Sequence, residues 1–442
     1  MSATTLIHNA KIVGESGKPY LGWLLFSDDV ILDLGKGHPK SMDTASEIID
    51  FEGDLLMPGM IDTHVHFREP GLTRKATIES ESAAAVAGGV TSFFDMPNTI
   101  PPTTSLEAWA EKMEIAAKTS HANYAFYIGA TNSNLDSEIK RADFTQIPGV
   151  KLFLGSSTGN LLVDSQASLE RLFQEVKVPI AVHAEDNARI NDNARTAREI
   201  FGDEPVPVEF HPWIRDARAC MDSTLYALAL AEKFDARLHI CHLSTGIETK
   251  LLREHKPARV TTETGTHYLH FADTDYEALG TRIKCNPAIK ASTDRSALKK
   301  AVKDGLIDII ASDHAPHLLS EKEGDALTAP SGMPGIQFQL PLMLDLYSPE
   351  LVAKLTASNP ASIFNVDRRG VLKKGNYADF VRIRKQEHLI SDADVISLCG
   401  WTPLAGVTIG HSVISTWVNG QLAFDNGKVT DNISSKALKF NN

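Results

Sequence analysis

Through the middle of the chain, short apolar runs alternate with stretches whose apolar residues recur at helical spacing. The runs are "MIDTHVHF", "VTSFFDMP", "NYAFYIGA", "GVKLFLG", "PIAVHAED", "RLHICHLS", "ARVTTETG" and "IDIIASDH". Between them lie segments such as "LEAWAEKMEIAAK" and "MDSTLYALALAEKF", each with one apolar face at the helical period. Strands separated in this way by helices predict an α/β fold, a parallel sheet closed into a (β/α)8 TIM-like barrel. An open doubly wound sheet is the alternative, but no GxGxxG follows a strand-like run to support it.

The two ends share a different texture. "TLIHNAKIVG", "GWLLFSDDVILDLG" and "SEIIDFEGDLLMPG" at the start, and "YADFVRIRK", "SVISTWVNGQLAF" and "GKVTDN" at the finish, are short β-rich runs broken by Gly and Asp. Asn419-Gly420 and Asn426-Gly427 are hairpin dipeptides. The pattern predicts a small β-sandwich built from both termini, with domain limits of 1–57 and 371–442 around a barrel at 58–370.

Composition narrows the class. A chain of 442 residues exceeds the usual size of one core, in keeping with a large and a small domain. The net charge of −12 argues against nonspecific binding to nucleic acid or an anionic membrane. No run approaches the ~20 apolar residues of a membrane span. The start, "MSATTLIHNAKIV", lacks the pattern of a signal peptide. Cys220, Cys241, Cys285 and Cys399 are scattered, which predicts reduced thiols and a cytoplasmic protein.

The candidate chemistry sits at strand ends. His64 and His66 close the first strand, Lys151 lies in the fourth, His183 ends the fifth, His242 the sixth and Asp313 the eighth. The 59 residues from His183 to His242 are long for one βα unit, so an insertion is expected around "GDEPVPVEFHPW". In a closed barrel, C-terminal strand ends meet at one mouth, so these six candidate ligands converge. Alternate residues of a strand share a face, which predicts that His64, His66 and Arg68 all point into the mouth. Two imidazoles make half a metal site, and the arginine offers a fixed fork for a carboxylate.

Plainer readings compete. A lone HxH on a strand is as often structural as metal-binding, and Lys151 reads equally as a surface lysine until its apolar neighbours are weighed. His239 rivals His242; the latter is nearer the strand end. Asp95 caps a turn or approaches a metal with similar odds. His8, His38, His121, His211, His255, His388 and His411 have no such context and read as ordinary.

The blocks "MPGMIDTHVHFREPG", "GGVTSFFDMPNT", "GVKLFLG", "AVHAED", "HICHLST", "ASDHAPH", "SEKEGD" and "SGMPGIQ" resemble dihydroorotases, a cyclic-amidohydrolase branch of the amidohydrolase superfamily. The tail "CGWTPLAGVTIG" followed by "VNG" does so too. Carried over residue by residue, the resemblance implies two Zn2+ per chain. His64, His66 and Asp313 would hold one and His183 and His242 the other, bridged by a hydroxide and by Lys151 carboxylated with CO2. It implies that Arg68, Asn98, Asn286 and His317, with backbone near Gly335, contact substrate, and that Asp313 is the general acid and base. "TETGTHYL" stands where the family shows a Pro-His-His stretch, and "NPAIK" where "NPPLR" is common.

The implied reaction is the reversible interconversion of N-carbamoyl-L-aspartate and (S)-dihydroorotate in pyrimidine biosynthesis. Homo-oligomers are common in the superfamily. Rival readings are an allantoinase, a dihydropyrimidinase or hydantoinase, or a catalytically silent structural partner; Arg68 discriminates, because the rival substrates lack a ring carboxylate. The loop "GSSTGNLL", residues 155–162, is read with equal weight as a lid or a plain surface loop.

Overall fold

A computed structural model describes residues 3–15, 18–39, 45–155, 161–431 and 434–442. Its centre is a ring of parallel strands: Met60–Val65, Val90–Asp95, Asn123–Phe126 continued by Ile128–Gly129, Val150–Phe153, Ile180–His183, Leu238–Ile240, Val260–Gly265 and Ile309–Ala311. These match the eight apolar runs in order. The ring closes where Val65 bridges His314, and the His66 amide donates to the His314 carbonyl at 2.8 Å. Helices and loops cover the outside, so the strands are buried on both faces, which is why they read as nearly unbroken apolar runs.

Ile61, Phe94, Ala125, Tyr127, Ala181, Cys241, Ile309 and Ala311 point inward and fill the barrel with large and small side chains. The last residues of the chain return to this cluster. Leu438 and Phe440 are buried in it, and the Phe440 ring meets Phe94 edge-on at 5.6 Å.

The β-sandwich joins both termini through one seam, the antiparallel pairing of Leu55–Pro58 with Phe380–Leu389. Thr4–Ile12, Tyr20–Ser27 and Val30–Lys36 extend the sheet on one side, with Glu47–Asp50 beside Thr4–Ile12. Thr408–Val418, Gln421–Asp425 and Lys428–Val429 extend it on the other. The sheet curls over a core that includes Leu24, Phe26, Phe380 and Trp417, and the Ile31 amide reaches the Asn376 carbonyl at 2.9 Å. Asn419-Gly420 and Asn426-Gly427 form two-residue turns, all four residues at positive φ as tight hairpins require.

The expected insertion is helical. After Asn187–Phe201, the chain passes through Val208–Phe210 and His211–Ile214 before the long helix Ala217–Phe234. Ile190, Ala197, Val206, Ile214, Ala219 and Ala326 form a separate small core above the barrel mouth. Among the described residues, no helix is long and apolar enough to cross a membrane.

Candidate active site

The C-terminal strand ends surround a cavity of about 550 Å³, whose lining includes His64, His66, Lys151, His183, His242 and Asp313. His64 Nε2 lies 3.4 Å and His66 Nε2 3.1 Å from Asp313 Oδ1. Across the mouth, His183 Nδ1 lies 2.9 Å from His242 Nε2, and the His64 and His242 rings are 5.2 Å apart. All six candidates named from the strand ends therefore come together. Three residues around this cavity are held at positive φ: Arg68 at 67°, His242 at 36° and Asp313 at 47°. For side chains with a Cβ this conformation is strained, and such strain gathers at functional sites.

Outer partners orient the imidazoles. His64 Nδ1 meets Glu263 at 2.8 Å, His66 Nδ1 meets Asn98 Oδ1 at 2.7 Å, and His183 Nε2 meets Glu185 at 2.9 Å. In each case the ring's other nitrogen faces the cavity, the orientation a metal ligand needs. Burial pushes the His66 pKa down to about 4 and also lowers those of His183 and His242, so these rings are neutral. At His64 burial acts the same way, but Asp313 and Glu263 outweigh it and raise the pKa to about 10. Burial disfavours an ionised Asp313, yet His64 and His66 hold its carboxyl well below the usual range.

Lys151 is fully buried, its Nζ 3.2 Å from Cys241 Sγ and 5.1 Å from the centre of the Phe153 ring. Among the described residues no carboxylate pairs with it. A bare ammonium at that depth is costly. Two inward-facing nitrogens at His183 and His242 repel unless a proton or cation lies between them. Four imidazoles and one carboxylate form a donor set suited to divalent cations.

Beside this cluster is a basic corner. Arg68 is 7% exposed; its Nε donates to the Pro316 carbonyl at 3.0 Å, and its Nη2 lies 3.1 Å from His317 Nε2. Lys75 Nζ approaches the other His317 nitrogen at 3.1 Å. Burial, then Arg68 and Lys75, drive the His317 pKa down to about 2, so the ring is neutral between two cations. Burial lowers Arg68 only to about 10, which leaves it charged at neutral pH.

Strand alternation does not explain how Arg68 is aimed. The first strand ends at Val65, and Arg68 is left-handed; the Pro316 carbonyl and His317 direct it into the cavity. Asn98 lines the cavity with its Oδ1 committed to His66, leaving its amide nitrogen available. Asn286 also lines it, with a buried Oδ1 that lacks a hydrogen-bond partner among the described residues. Gly335 lies behind the site, its amide donating to His314 Nδ1 at 3.0 Å. In "NPAIK", Lys290 turns away and bonds the Ala288 carbonyl at 3.0 Å.

His239 bonds Thr261 at 2.9 Å on the side away from the mouth, and Asp95 accepts the Phe67 amide at 2.8 Å and pairs with Lys112; both are structural. The loop read as a lid or a surface loop falls at residues 156–160 outside the described residues. Sequence reasoning passed over Glu185, Arg215 and Glu263. The available signal was a carboxylate two residues past a strand-end histidine in "VHAE", and a lone Glu among the small residues of "VTTETG".

The profile of the amidohydrolase family matches residues 55–423, and the chain belongs to that family. It is 35% identical over 405 residues to the dihydroorotase of Methanosarcina acetivorans, covering 87% of this chain and 84% of that one. Against the dihydroorotase of Halobacterium salinarum it is 34% identical over 395 residues, covering 86% and 89%. These likenesses set it among the dihydroorotases of the family. Among solved structures, the L-hydantoinase (dihydropyrimidinase) of Arthrobacter aurescens superposes with a TM-score of 0.92 at 25% identity, covering 99% of this chain and 100% of that one. A dihydropyrimidinase from Brevibacillus agri gives 0.87 at 23% identity over 96% of each chain, a likeness of fold.

Proposed function

We propose that the protein interconverts N-carbamoyl-L-aspartate and (S)-dihydroorotate, the ring-closing step of pyrimidine biosynthesis. The observation that carries the reading is the buried Arg68 guanidinium beside a cluster of imidazoles and one carboxylate. The relatives at 34–35% identity are dihydroorotases, and the substrate is a ring amide bearing its own carboxylate.

In this reading His64, His66 and Asp313 would hold one zinc and His183 and His242 a second, with Lys151, once carboxylated, a further ligand. Such a metal pair, when bound, supplies Lewis acidity and brings a water's pKa down to about 7. The chain's own groups do the rest. Arg68, with neutral His317 beside it, anchors the ring carboxylate and so orients the scissile amide. The Asn98 amide nitrogen donates to the same substrate, and Asn286 accepts from a ring N–H. Asp313, kept ionised by its two imidazoles, takes the nucleophile's proton and returns it to the departing ring nitrogen. In the synthetic direction the same carboxylate accepts the ureido proton. All four cysteines are buried and free of disulfides, which suits a reducing cytoplasm.

The likeness to the L-hydantoinase structure favours one second reading, hydrolysis of a ring without a carboxylate. A panel of dihydroorotate, dihydrouracil, hydantoin and allantoin, run with zinc analysis, separates the two. Dihydroorotate is expected to dominate. Preference for another ring would overturn the assignment, and a zinc-free protein without turnover would point to a structural partner.

A further inference from the structure

We infer that Glu185 and Arg215 form the positioning pair of the second metal position, through which the helical insertion controls how firmly that position holds its cation. The inference rests on the reading of His183 and His242 as ligands.

His183 ends the fifth strand and Glu185 follows at the alternate position, so the carboxylate doubles back along the same side onto the ring. Glu185 Oε2 lies 2.9 Å from His183 Nε2, and Glu185 is completely buried. Arg215 Nε contacts both Glu185 oxygens at 3.2 Å, and its Nη2 reaches Oε2 at 2.5 Å. That fork fixes the carboxylate plane, and the carboxylate in turn fixes the ring with Nδ1 facing His242.

The source of Arg215 makes the second position different from the first. Glu263, behind His64, is held by barrel residues: Thr63 at 2.8 Å and His239 at 3.4 Å. Arg215 instead follows His211–Ile214, the last helix of the insertion. The insertion is braced by its own core and by a clasp to the loop after the eighth strand. In that clasp Asp325 accepts the Val206 amide at 2.9 Å, and the Ala326 amide donates to the Val206 carbonyl at 2.9 Å. Loss of Arg215 would leave Glu185 an uncompensated buried charge, free to swing off the ring. His64, His66 and Asp313 would not feel that change directly.

The test strips wild type, Glu185→Gln, Arg215→Met and Arg215→Lys with chelator and titrates each with Co2+ and Zn2+. Visible absorption and bound metal per chain are the readouts, with circular dichroism to verify folding. Arg189→Met, which breaks the nearby Arg189–Asp216 pair outside the cavity, serves as control. Expected are two equivalents in wild type and in the control. In Glu185→Gln and Arg215→Met one equivalent should stay tight and the other weaken about 10–100-fold, partly rescued in Arg215→Lys. Wild-type affinity for both equivalents in those variants would overturn the inference, as would equal weakening of both. A wild type that binds one equivalent or none would overturn the ligand reading beneath it.

Discussion

Arg68 and His317, 249 residues apart in sequence, meet with 3.1 Å between Nη2 and Nε2 at the edge of the imidazole cluster. The contact helps aim a buried guanidinium at the cavity, and Arg68 in turn helps keep its neighbour uncharged; the charge on Arg68 itself is supported by Asp95 and Asp313. Arg68→Met should cut kcat/KM for dihydroorotate by roughly 100-fold, the loss of a charge-assisted contact of about 3 kcal/mol. Bound zinc per chain should stay the same. Unchanged kinetics would remove Arg68 from substrate recognition.

Asp313 is held ionised by the two imidazoles that flank it. Asp313→Ala should reduce turnover by about 10²–10⁴-fold or more, since both proton transfer and a metal contact go with it. Near wild-type turnover, measured by ultraviolet absorbance of dihydroorotate, would take it out of the proton-transfer role.

Lys151 is buried beside Cys241 and the Phe153 ring and lines the cavity with the imidazoles, with no carboxylate paired to it among the described residues. Stripped protein should therefore recover zinc and activity fully only when bicarbonate is supplied with the metal, and Lys151→Ala should fail to recover either. Equal reloading with and without bicarbonate, read as zinc per chain, would argue against carboxylation.

His317 carries a pH signature with a definite sign. Its pKa falls to about 2 in the folded chain, through burial and then Arg68 and Lys75. Unfolded, it titrates at about 6.5. Between those values the unfolded chain binds a proton that the folded one does not, so stability rises with pH and is lost on acidification below about 6.5. Wild type should lose more thermal stability than His317→Gln between pH 7 and pH 5. The opposite order of melting shifts would contradict the assignment.

The end of the chain is tested by Phe440→Ala. Phe440 is 2% exposed against Phe94 and the barrel floor. The substitution should lower stability by about 3–5 kcal/mol in urea unfolding, with kcat almost unchanged because the mouth is at the other end. A large fall in kcat with little loss of stability would show that the floor is coupled to the site.

The barrel was legible because its strands are buried on both faces, so hydrophobicity alone marks "VTSFFD" or "IAVH" as strands. The cluster of imidazoles, one lysine and one carboxylate was legible because a closed parallel barrel has one mouth, where polar groups at strand ends converge. Sequence by itself therefore determined the strand order, the hairpins at Asn419-Gly420 and Asn426-Gly427, and the gathering of the six candidate ligands.

Only the tertiary structure decided what lies behind those side chains. Glu185, Arg215 and Glu263 act through contacts between segments that no periodicity links: Arg215 reaches Glu185 across 30 residues, and Glu263 reaches His64 across 199. It also decided the aim of Arg68, a left-handed residue beyond its strand, and sent Leu438 and Phe440 to the barrel floor. Local pattern records which face of an element is apolar. Which distant groups share a hydrogen bond depends on how the closed ring and the insertion pack, and that is a property of the assembled chain.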